Sequence, residues 1–351
     1  MRCALRVTRK SAFARAADRW QNLRKHFPGN DVTATAPTVS GSRHPVLGAA
    51  SLCAGVMIFS GQDWIIKLLS GDYPVHQAIA IRGIVAVPIL LTVIAATSDL
   101  RALASPRAGW MTIRGLVLMV AYTTYYLAFP SMPLANVVAL WFTVPLFVTT
   151  LAGPFLGERV GIRRWIATIA GFVGVLIIVR PLTAAFSLAS LLPIASALAY
   201  SISALMARRM GETESAPVMS FYQNLVYLLV ALIMAAIFGG GAFAGNSDPS
   251  VEFLMRGWVM PSLTDLLLLA TCGIIASAAT VLLTQAYRLA EANFVACFEY
   301  SAIIWASLGG YLFWREVPDL YTFIGAALIV TAGLYMLFHG RPSAVAPIEQ
   351  G

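Results

Sequence analysis

Ten apolar stretches, each close to the length that crosses a lipid bilayer, constrain this chain more than any other feature of its sequence. About 20 apolar residues span the hydrocarbon core as a helix. In that core, only helices satisfy their own backbone hydrogen bonds without closing into a barrel, and these stretches lack the apolar–polar alternation of barrel strands. The stretches are 46–67, 77–96, 110–129, 134–156, 163–180, 186–207, 217–238, 263–287, 293–314 and 320–338.

Composition agrees with a membrane protein. The chain is 59% hydrophobic and 11% charged, with a mean hydropathy of +0.77, whereas a soluble domain averages about 25% charged residues. The net charge of +8 does not indicate nucleic acid, because nine of the 24 Lys and Arg residues lie before residue 44 and most others lie between apolar stretches. Four cysteines without paired spacing and four scattered histidines predict no disulfide, metal site or cofactor.

The basic residues predict the orientation in the membrane. With the N-terminus in the cytoplasm, nineteen Lys and Arg residues, Arg114 among them, lie inside, four lie outside, and Arg82 lies within the membrane. We therefore expect a multi-pass protein of the inner membrane with both termini cytoplasmic. Residues 1–45 form a basic tail expected to be disordered, and residues 340–351 form a second cytoplasmic tail. For residues 1–40 the alternatives are an organellar presequence or a start codon set too far upstream.

The second half of the chain repeats the order of the first. ANVVALWFTVPLFVTTLAGPFLGE (135–158) matches ANFVACFEYSAIIWASLGGYLFWRE (292–316) in its leading Ala-Asn and its closing Glu, with one residue inserted in the second copy. Upstream, the segment 114–129 parallels 272–287, which places Gly115 opposite Gly273.

Each copy holds five spans, and an odd number makes the second copy enter the membrane from the opposite side. The predicted fold is therefore an all-α membrane protein of ten transmembrane helices, arranged as two inverted five-helix repeats over 46–182 and 183–339. Inverted repeats are common among secondary transporters, which bind their substrate between the two halves near the bilayer midplane. The Gly-rich loop 239–262 is expected to be mobile.

Three motifs resemble the drug/metabolite transporter superfamily, EamA type. They are LFVTTLAGPFLGERV with Gly171 and Gly174, GGYLFWREV with Gly325 and Gly333, and DWIIKLLSGDYPVHQAIAIRG near the start. The resemblance covers roughly residues 46–339 and implies a ten-span carrier with both termini cytoplasmic. The last motif is similar to a subgroup that includes carriers for riboflavin and for S-adenosylmethionine.

The resemblance has one departure. Pro145 of the fourth span is replaced by Ala302 in the ninth, so symmetric helix kinks do not follow from it. The glycines of the motifs are expected to allow close contact between helices.

Glu299 is the main candidate for a functional charge. It lies about six residues, or roughly 9 Å, inside the ninth span. An ionisable group at that depth costs about 2.5–3.5 kcal/mol and should face a cavity or a partner. It is either a structural carboxyl lodged between helices or a substrate and proton-coupling site.

Asp63 and Arg82 form a second candidate pair. They lie about five positions below the same membrane surface, on the first and second spans. They are interpreted as a structural ion pair, or alternatively as a gate or a contact to an anionic substrate group.

Aromatic residues crowd the third, fourth and ninth spans. Tyr122, Tyr125, Tyr126 and Phe129 share one helix face. They either form ordinary packing or a stacking surface for a flat or cationic cargo. The candidate substrate-binding residues besides Glu299 are Tyr122, Tyr126, Trp141, Tyr200, Gln285 and Phe298.

Polar residues also mark the ends of corresponding spans. Asn136 and Asn293 stand at span starts, where an N-cap role is expected. Glu158 and Glu316 end the fourth and ninth spans beside arginines, which favours interfacial pairing.

These features favour a secondary transporter that moves a small metabolite by alternating access, with uptake of riboflavin or a similar flat heterocycle as the leading hypothesis. The alternatives are a carrier of S-adenosylmethionine, an amino acid or a drug, in either direction. No P-loop is present, which argues against ATP hydrolysis. An intramembrane enzyme is a remote alternative, because no nucleophile–base pair or metal set lies at membrane depth. The sequence predicts no nucleic-acid partner and does not fix the oligomeric state.

Overall fold

The computed structural model describes residues 45–97, 100–144, 146–148, 150–151, 162–180, 187–210, 214–289 and 297–339. These residues all belong to one compact unit, His44–Gly351. The tails predicted at 1–45 and 340–351 lie outside them, apart from Pro45. The α-helices are α1 (Pro45–Leu69), α2 (Val75–Thr97), α3 (Ala108–Leu127), α4 (Leu134–Trp141), α5 (Ile162–Val179), α6 (Leu191–Met210), α7 (Ala216–Phe238), α8 (Pro249–Met255), α9 (Leu263–Leu289), α10 (Ala302–Trp314) and α11 (Leu320–His339).

Five helical stretches of the described residues are long and apolar enough to cross a membrane. Shorter apolar stretches cover Leu134–Val148, Trp165–Val179 and Leu320–Tyr335. The predicted all-helical character therefore agrees with the described residues, whereas the count of ten spans stays a prediction. The five long stretches are Val46–Leu69, Val75–Thr97, Leu188–Met206, Pro217–Phe238 and Leu263–Thr280.

The packing of the helices follows the symmetry expected of two exchanged halves. Helix α1 packs along α9, and α3 packs along α6, which is the same pairing after the halves are exchanged. In the same way, the packing of α2 against α9 becomes the packing of α7 against α3 when the halves are exchanged. The pairs α2 with α7, α4 with α10 and α5 with α11 each map onto themselves.

Glycines lie where two of these symmetric pairs approach most closely. A Cβ atom on Gly115 of α3 would lie 2.9 Å from a methyl carbon of Val226 on α7, and one on Gly273 of α9 would lie 2.7 Å from the Arg82 carbonyl oxygen on α2. Between α5 and α11 the contact is backbone on backbone. A Cβ on Gly174 would lie 2.7 Å from the Gly325 carbonyl oxygen, and one on Gly325 would lie 2.6 Å from that of Gly174. The close helix contact expected of these motif glycines is confirmed.

At the same relative place in both repeats, the described chain departs from α-helical geometry. Helix α4 ends at Trp141 and is followed by a turn at 142–143. Pro145 has no N–H to donate to the Trp141 carbonyl four residues earlier, which is the physical reason for a break there. In the second repeat a 3₁₀ turn, Cys297–Ser301, precedes α10, although Ala302 stands where the first repeat has proline. The second break therefore does not depend on a proline.

The loop between α7 and α9 contains a short helix and is tied to its neighbours, contrary to the mobility expected from its glycines. The Asp248 side chain accepts the amide hydrogens of Ser250 and Val251 at the start of α8. The Trp258 indole N–H donates to His76 Nδ1 at 2.7 Å. Glu252 accepts the amide hydrogens of Asn246 and Gly245, and these bonds hold the pKa of its carboxyl below the usual range.

Two opposite faces of the helical bundle can be identified from bonds that join helix ends. On the near face, Ser105 donates to Glu214 at 2.7 Å, close to the starts of α3 and α7. On the far face, the Tyr73 hydroxyl donates to Asp265 at 2.7 Å, close to the end of α1 and the start of α9. Which face meets the cytoplasm stays a prediction from the distribution of basic residues.

Candidate functional site

A cavity of roughly 300 Å³ lies between the two repeats. Its walls include the first two turns of α7 and the last turns of α9, so it begins on the near side of the bundle. Its deepest residues, Asp63 and Tyr125, lie within two turns of the far ends of α1 and α3. The polar and aromatic lining residues are Phe59, Ser60, Asp63, Arg114, Tyr122, Tyr125, Trp141, Ser196, Tyr200, Ser220, Gln223, Thr280 and Glu299.

One stripe of α3 forms a wall of this cavity. Arg114, Leu118, Ala121, Tyr122 and Tyr125 all line it, and their spacing of three and four residues places them on one helix face. Arg114 was counted with the basic residues on the cytoplasmic side, which implies a place at the membrane surface. The structure instead places its side chain in the wall of the cavity with its Nε atom buried, while the side of the membrane stays a prediction.

Asp63 forms the deep end of the cavity. The Tyr125 hydroxyl donates to Asp63 Oδ2 at 3.2 Å, while buried Asp63 Oδ1 has no hydrogen-bond partner among the described residues. Next to it, Gln62 Nε2 donates to the Tyr126 hydroxyl at 2.5 Å. Asp63 thus presents a carboxylate oxygen that a ligand donor could bind.

Arg82 does not make the direct ion pair considered for it. Its guanidinium lies over the rings of Tyr122 and Tyr227, with the Cζ atom 4.9 and 5.6 Å from the two ring centroids. It also donates to Asn224 Oδ1 at 3.4 Å. No ion pair joins Asp63 to Arg82 directly among the described contacts, although the two charges lie close enough to interact. Equal depth on two helices does not fix the direction in which each side chain points. The gate role proposed for the pair stays a prediction.

Glu299 lies in the wall of the cavity, in the 3₁₀ turn that precedes α10. The partial positive charge at the start of a helix stabilises a nearby carboxylate, which gives a reason for an acidic residue three positions before Ala302. Tyr200 lies within electrostatic reach of both Glu299 and Arg114. The opposite break, after Trp141, borders the same cavity, so both interruptions of the helices meet the site.

Two sets of aromatic rings, which we call the aromatic band, line the cavity. The ring centroids of Trp141 and Tyr200 lie 5.1 Å apart, and those of Trp141 and Tyr125 lie 6.3 Å apart, both edge to face. Phe59 approaches Tyr122 at 6.1 Å from the other side. The band offers ring faces and edges to a flat ligand, with polar groups above and below it.

The structure brings together five of the residues singled out from the sequence and separates the others. Tyr126 is fully buried behind Tyr122, and Arg82 lies behind the same ring. Phe298 packs against the cluster of Leu52 and Ala286. The Gln285 side chain lies outside the described part of the structure. The five that line the cavity are Asp63, Tyr122, Trp141, Tyr200 and Glu299.

The far face is closed by an ion pair between the repeats. Lys67 at the end of α1 donates to Glu316 Oε1 at 2.6 Å and to the Met132 carbonyl at 3.2 Å. The second oxygen of Glu316 accepts the Leu134 amide hydrogen at 3.1 Å and so caps α4. The cap expected from Asn136 is therefore wrong, since this residue lies inside the first turn of α4. Asn293 and Glu158 lie outside the described residues.

An unusual turn directs Glu316 into this contact. Arg315 ends α10 in the left-handed conformation, with φ 56°. The amides of Arg315 and Glu316 donate back to the carbonyls of Tyr311 and Gly310, a pattern in which glycine is the usual residue at the left-handed position. The pairing expected between Glu316 and its neighbouring arginine is replaced by the pairing with Lys67.

Comparison with known proteins agrees with this architecture. The sequence model described as the EamA-like transporter family matches residues 46–180 and 187–338. A riboflavin transporter of Vibrio cholerae is 28% identical over 82% of this chain and 91% of its own length. A riboflavin transporter of Rhizobium johnstonii is 34% identical over 59% and 63% of the two chains. An S-adenosylmethionine uptake transporter of Rickettsia prowazekii is 26% identical over 69% and 76%.

A solved crystal structure has the same fold. It covers 85% of this chain and 99% of its own, with a TM-score of 0.58 and 16% sequence identity. At that identity the similarity concerns the fold alone.

Proposed function

We propose, since this chain belongs to the EamA-like transporter family of the drug/metabolite transporter superfamily, that it takes up riboflavin or a similar flat heterocycle by alternating access. The chain is a multi-pass inner-membrane protein and a transporter of small metabolites by family. The cargo, the direction of transport and the coupling ion are our proposal.

The aromatic band of the cavity is the observation that carries this proposal. Trp141, Tyr200, Tyr122 and Tyr125 surround a space in which a planar ring system can stack or meet ring edges. Such contacts give about 0.5–1.5 kcal/mol each beyond the burial of area. Two relatives that are similar over much of their length are named riboflavin transporters, which supports the same cargo.

The position of the cavity supports transport rather than simple storage of a ligand. The cavity lies between inverted repeats and borders the interruption of a helix in each of them. Transporters with inverted repeats bind their substrates at such interrupted helices. A contact of Lys67 with Glu316 across the far face, beyond the deep end of the cavity, is compatible with one of the two states that alternating access requires.

A carrier of S-adenosylmethionine is the second candidate. Two carboxylates, Asp63 and Glu299, line the cavity together with aromatic rings. A desolvated cation over a ring gains about 2 kcal/mol, so a sulfonium group would find favourable surroundings. A relative named as an S-adenosylmethionine uptake transporter supports this reading.

Growth and uptake tests separate the two cargos. The wild-type chain should restore growth at low riboflavin to an auxotroph that lacks its own importer, and vesicles containing it should accumulate labelled riboflavin. A strain dependent on external S-adenosylmethionine provides the parallel test. Rescue of that strain alone would replace riboflavin by the second candidate.

A matched pair of tryptophan variants ties uptake to the cavity. Trp141→Ala should lower riboflavin uptake by roughly tenfold, by loss of stacking and of apolar contact. Trp165→Ala removes the same side chain from an exposed position on α5 and should leave uptake unchanged. Equal uptake by both variants would contradict a role for the aromatic band.

A further inference from the structure

Arg114 lies in the wall of the cavity, which Glu299 also lines, and makes no ion pair with another described residue. No carboxylate of the described residues lies within ion-pair distance of its guanidinium, and its buried Nε atom has no hydrogen-bond partner among them. A buried donor without a partner costs about 1–3 kcal/mol, and more when the group is charged. In a membrane protein, such a group either extends to the aqueous interface or receives its missing hydrogen bonds from a ligand.

An escape to the membrane surface does not account for the position of Arg114. Long basic side chains near the end of a span often extend toward the interface, and Arg114 lies only about 9 Å along α3 from Ala108. However, its Nε atom is enclosed, and the residue lines the same cavity as Tyr122 and Tyr200. The guanidinium is therefore a wall of the site.

The second polar end of the cavity lies far from Arg114. Asp63 is bonded to Tyr125, which is eleven residues beyond Arg114 on the same helix, or about 16 Å along its axis. Asp63 Oδ1 is buried and has no partner among the described residues. The cavity thus has a donor end at Arg114 and an acceptor end at Asp63, with the aromatic band between them.

We propose that Arg114 binds the hydrogen-bond-acceptor end of an elongated cargo while Asp63 binds its hydroxylated end. This inference rests on the proposed function. In riboflavin the acceptor end is the carbonyl edge of the flavin ring, and the hydroxylated end is the ribityl chain. The planar fork of a guanidinium suits an edge with adjacent acceptors, which a lysine could not match.

Two ligands that differ at one end test this orientation. Lumiflavin keeps the isoalloxazine ring system with its carbonyl edge and carries a methyl group in place of the ribityl chain. Binding of riboflavin and of lumiflavin to the purified full chain can be followed by quenching of their fluorescence. Wild-type binding of riboflavin tests the proposed function by itself, and its absence would remove both the proposed function and this inference.

Arg114→Gln should weaken the binding of both ligands by the same factor, roughly tenfold or more, because each ligand loses its bond to a charged donor. Asp63→Asn should weaken the binding of riboflavin and leave the binding of lumiflavin unchanged. Arg114→Lys, which keeps the charge but lacks the planar fork, should also weaken the binding of both ligands. If the glutamine variant does not fold, the lysine variant tests the role of Arg114. Arg101→Gln, the same substitution at an exposed arginine outside the cavity, should bind as the wild type does.

The inference is overturned if riboflavin binds to the wild type and Arg114 variants that elute as folded protein bind both ligands with unchanged affinity. It is equally overturned by the reverse pattern, in which Arg114 substitution affects riboflavin alone and Asp63→Asn affects both ligands. Either result would leave riboflavin transport itself intact.

Discussion

Lys67 Nζ lies 2.6 Å from Glu316 Oε1 and joins the end of the first helix to the segment after the ninth span. The lysine side chain is 6% exposed and the glutamate side chain 23% exposed. The ammonium also lies 5.0 Å from the ring centroid of Trp314. Because α1 and α10 come from different repeats, this contact has to break whenever the far face opens.

Glu316→Gln should open the far face. The change leaves the Lys67 charge without its counter-charge, and with a partly exposed partner we expect a cost of about 1–3 kcal/mol to the closed state. A cysteine placed at Met132 should then react faster with an impermeant maleimide than in the parent protein. Lys67→Gln added to Glu316→Gln should return the rate toward that of the parent, since no unpaired charge remains. Unchanged labelling in the single variant would show that the pair does not hold this face closed.

Arg82→Ala should destabilise the bundle through the loss of its ring contacts. The guanidinium is buried and faces two tyrosine rings, so we expect a loss of roughly 2–4 kcal/mol, seen as earlier thermal unfolding in detergent. Arg82→Lys should not restore it, because an ammonium does not stack as a guanidinium does.

Asp63→Ala combined with Arg82→Ala measures how strongly the two charges depend on each other. Because the described contacts include no direct ion pair between them, we expect a coupling below about 1 kcal/mol, against about 3–5 kcal/mol for breaking a direct buried pair. If the double variant is much more stable than Arg82→Ala alone, the two residues form a direct ion pair after all.

Glu299→Gln should separate accumulation from exchange if its protonation couples transport to the proton gradient. Vesicles with the variant should fail to accumulate cargo under a gradient and should still exchange labelled for unlabelled cargo. Glu252→Gln, in the loop before α9, provides the same substitution outside the cavity. Accumulation that survives Glu299→Gln and still collapses with a protonophore would exclude this residue from coupling.

Gly174→Ala and Gly325→Ala should each lower the stability of the folded protein in detergent. In both cases the new methyl group meets a carbonyl oxygen of the facing helix, which forces α5 and α11 apart at a cost of about 1–3 kcal/mol. Gly109→Ala in α3 is the control, because no atom lies within 4 Å of its added Cβ. There the higher helix propensity of alanine should stabilise the protein slightly. Equal behaviour of the three variants would contradict the close approach.

The sequence was sufficient for those parts of the fold that depend on hydrophobic length and on repetition. Aligning the two copies paired Gly115 with Gly273, and the structure uses them at equivalent helix crossings. Five of the nine proposed site residues line one cavity. A polar or aromatic residue in the middle of a span is unfavourable against lipid tails and therefore tends to face the interior of the bundle. The helix of the long loop had a readable signal in Asp248-Pro249, an N-cap followed by proline at the first helical position.

What the sequence did not provide is the direction in which each side chain points. Counting basic residues treats every arginine near the end of a span alike, so Arg114 was assigned to the surface. Extending the stripe of Tyr122 and Tyr125 back by two turns would have placed it in the cavity. Equal depth likewise suggested a pair of Asp63 with Arg82, and only the packing shows that the Arg82 guanidinium faces the rings of Tyr122 and Tyr227. The α4 start is capped by Glu316, 182 residues away, which no local pattern reveals.

The scaffold is symmetric, but its charges are not. In the alignment of the two copies, Cys272 occupies the place of Arg114, and Phe142 occupies that of Glu299. If the halves exchange conformations when the carrier turns from one side of the membrane to the other, the ionic groups stay with their own half. In that case a cargo would be released into surroundings that differ from those it entered, so its affinity would differ between the two sides of the membrane.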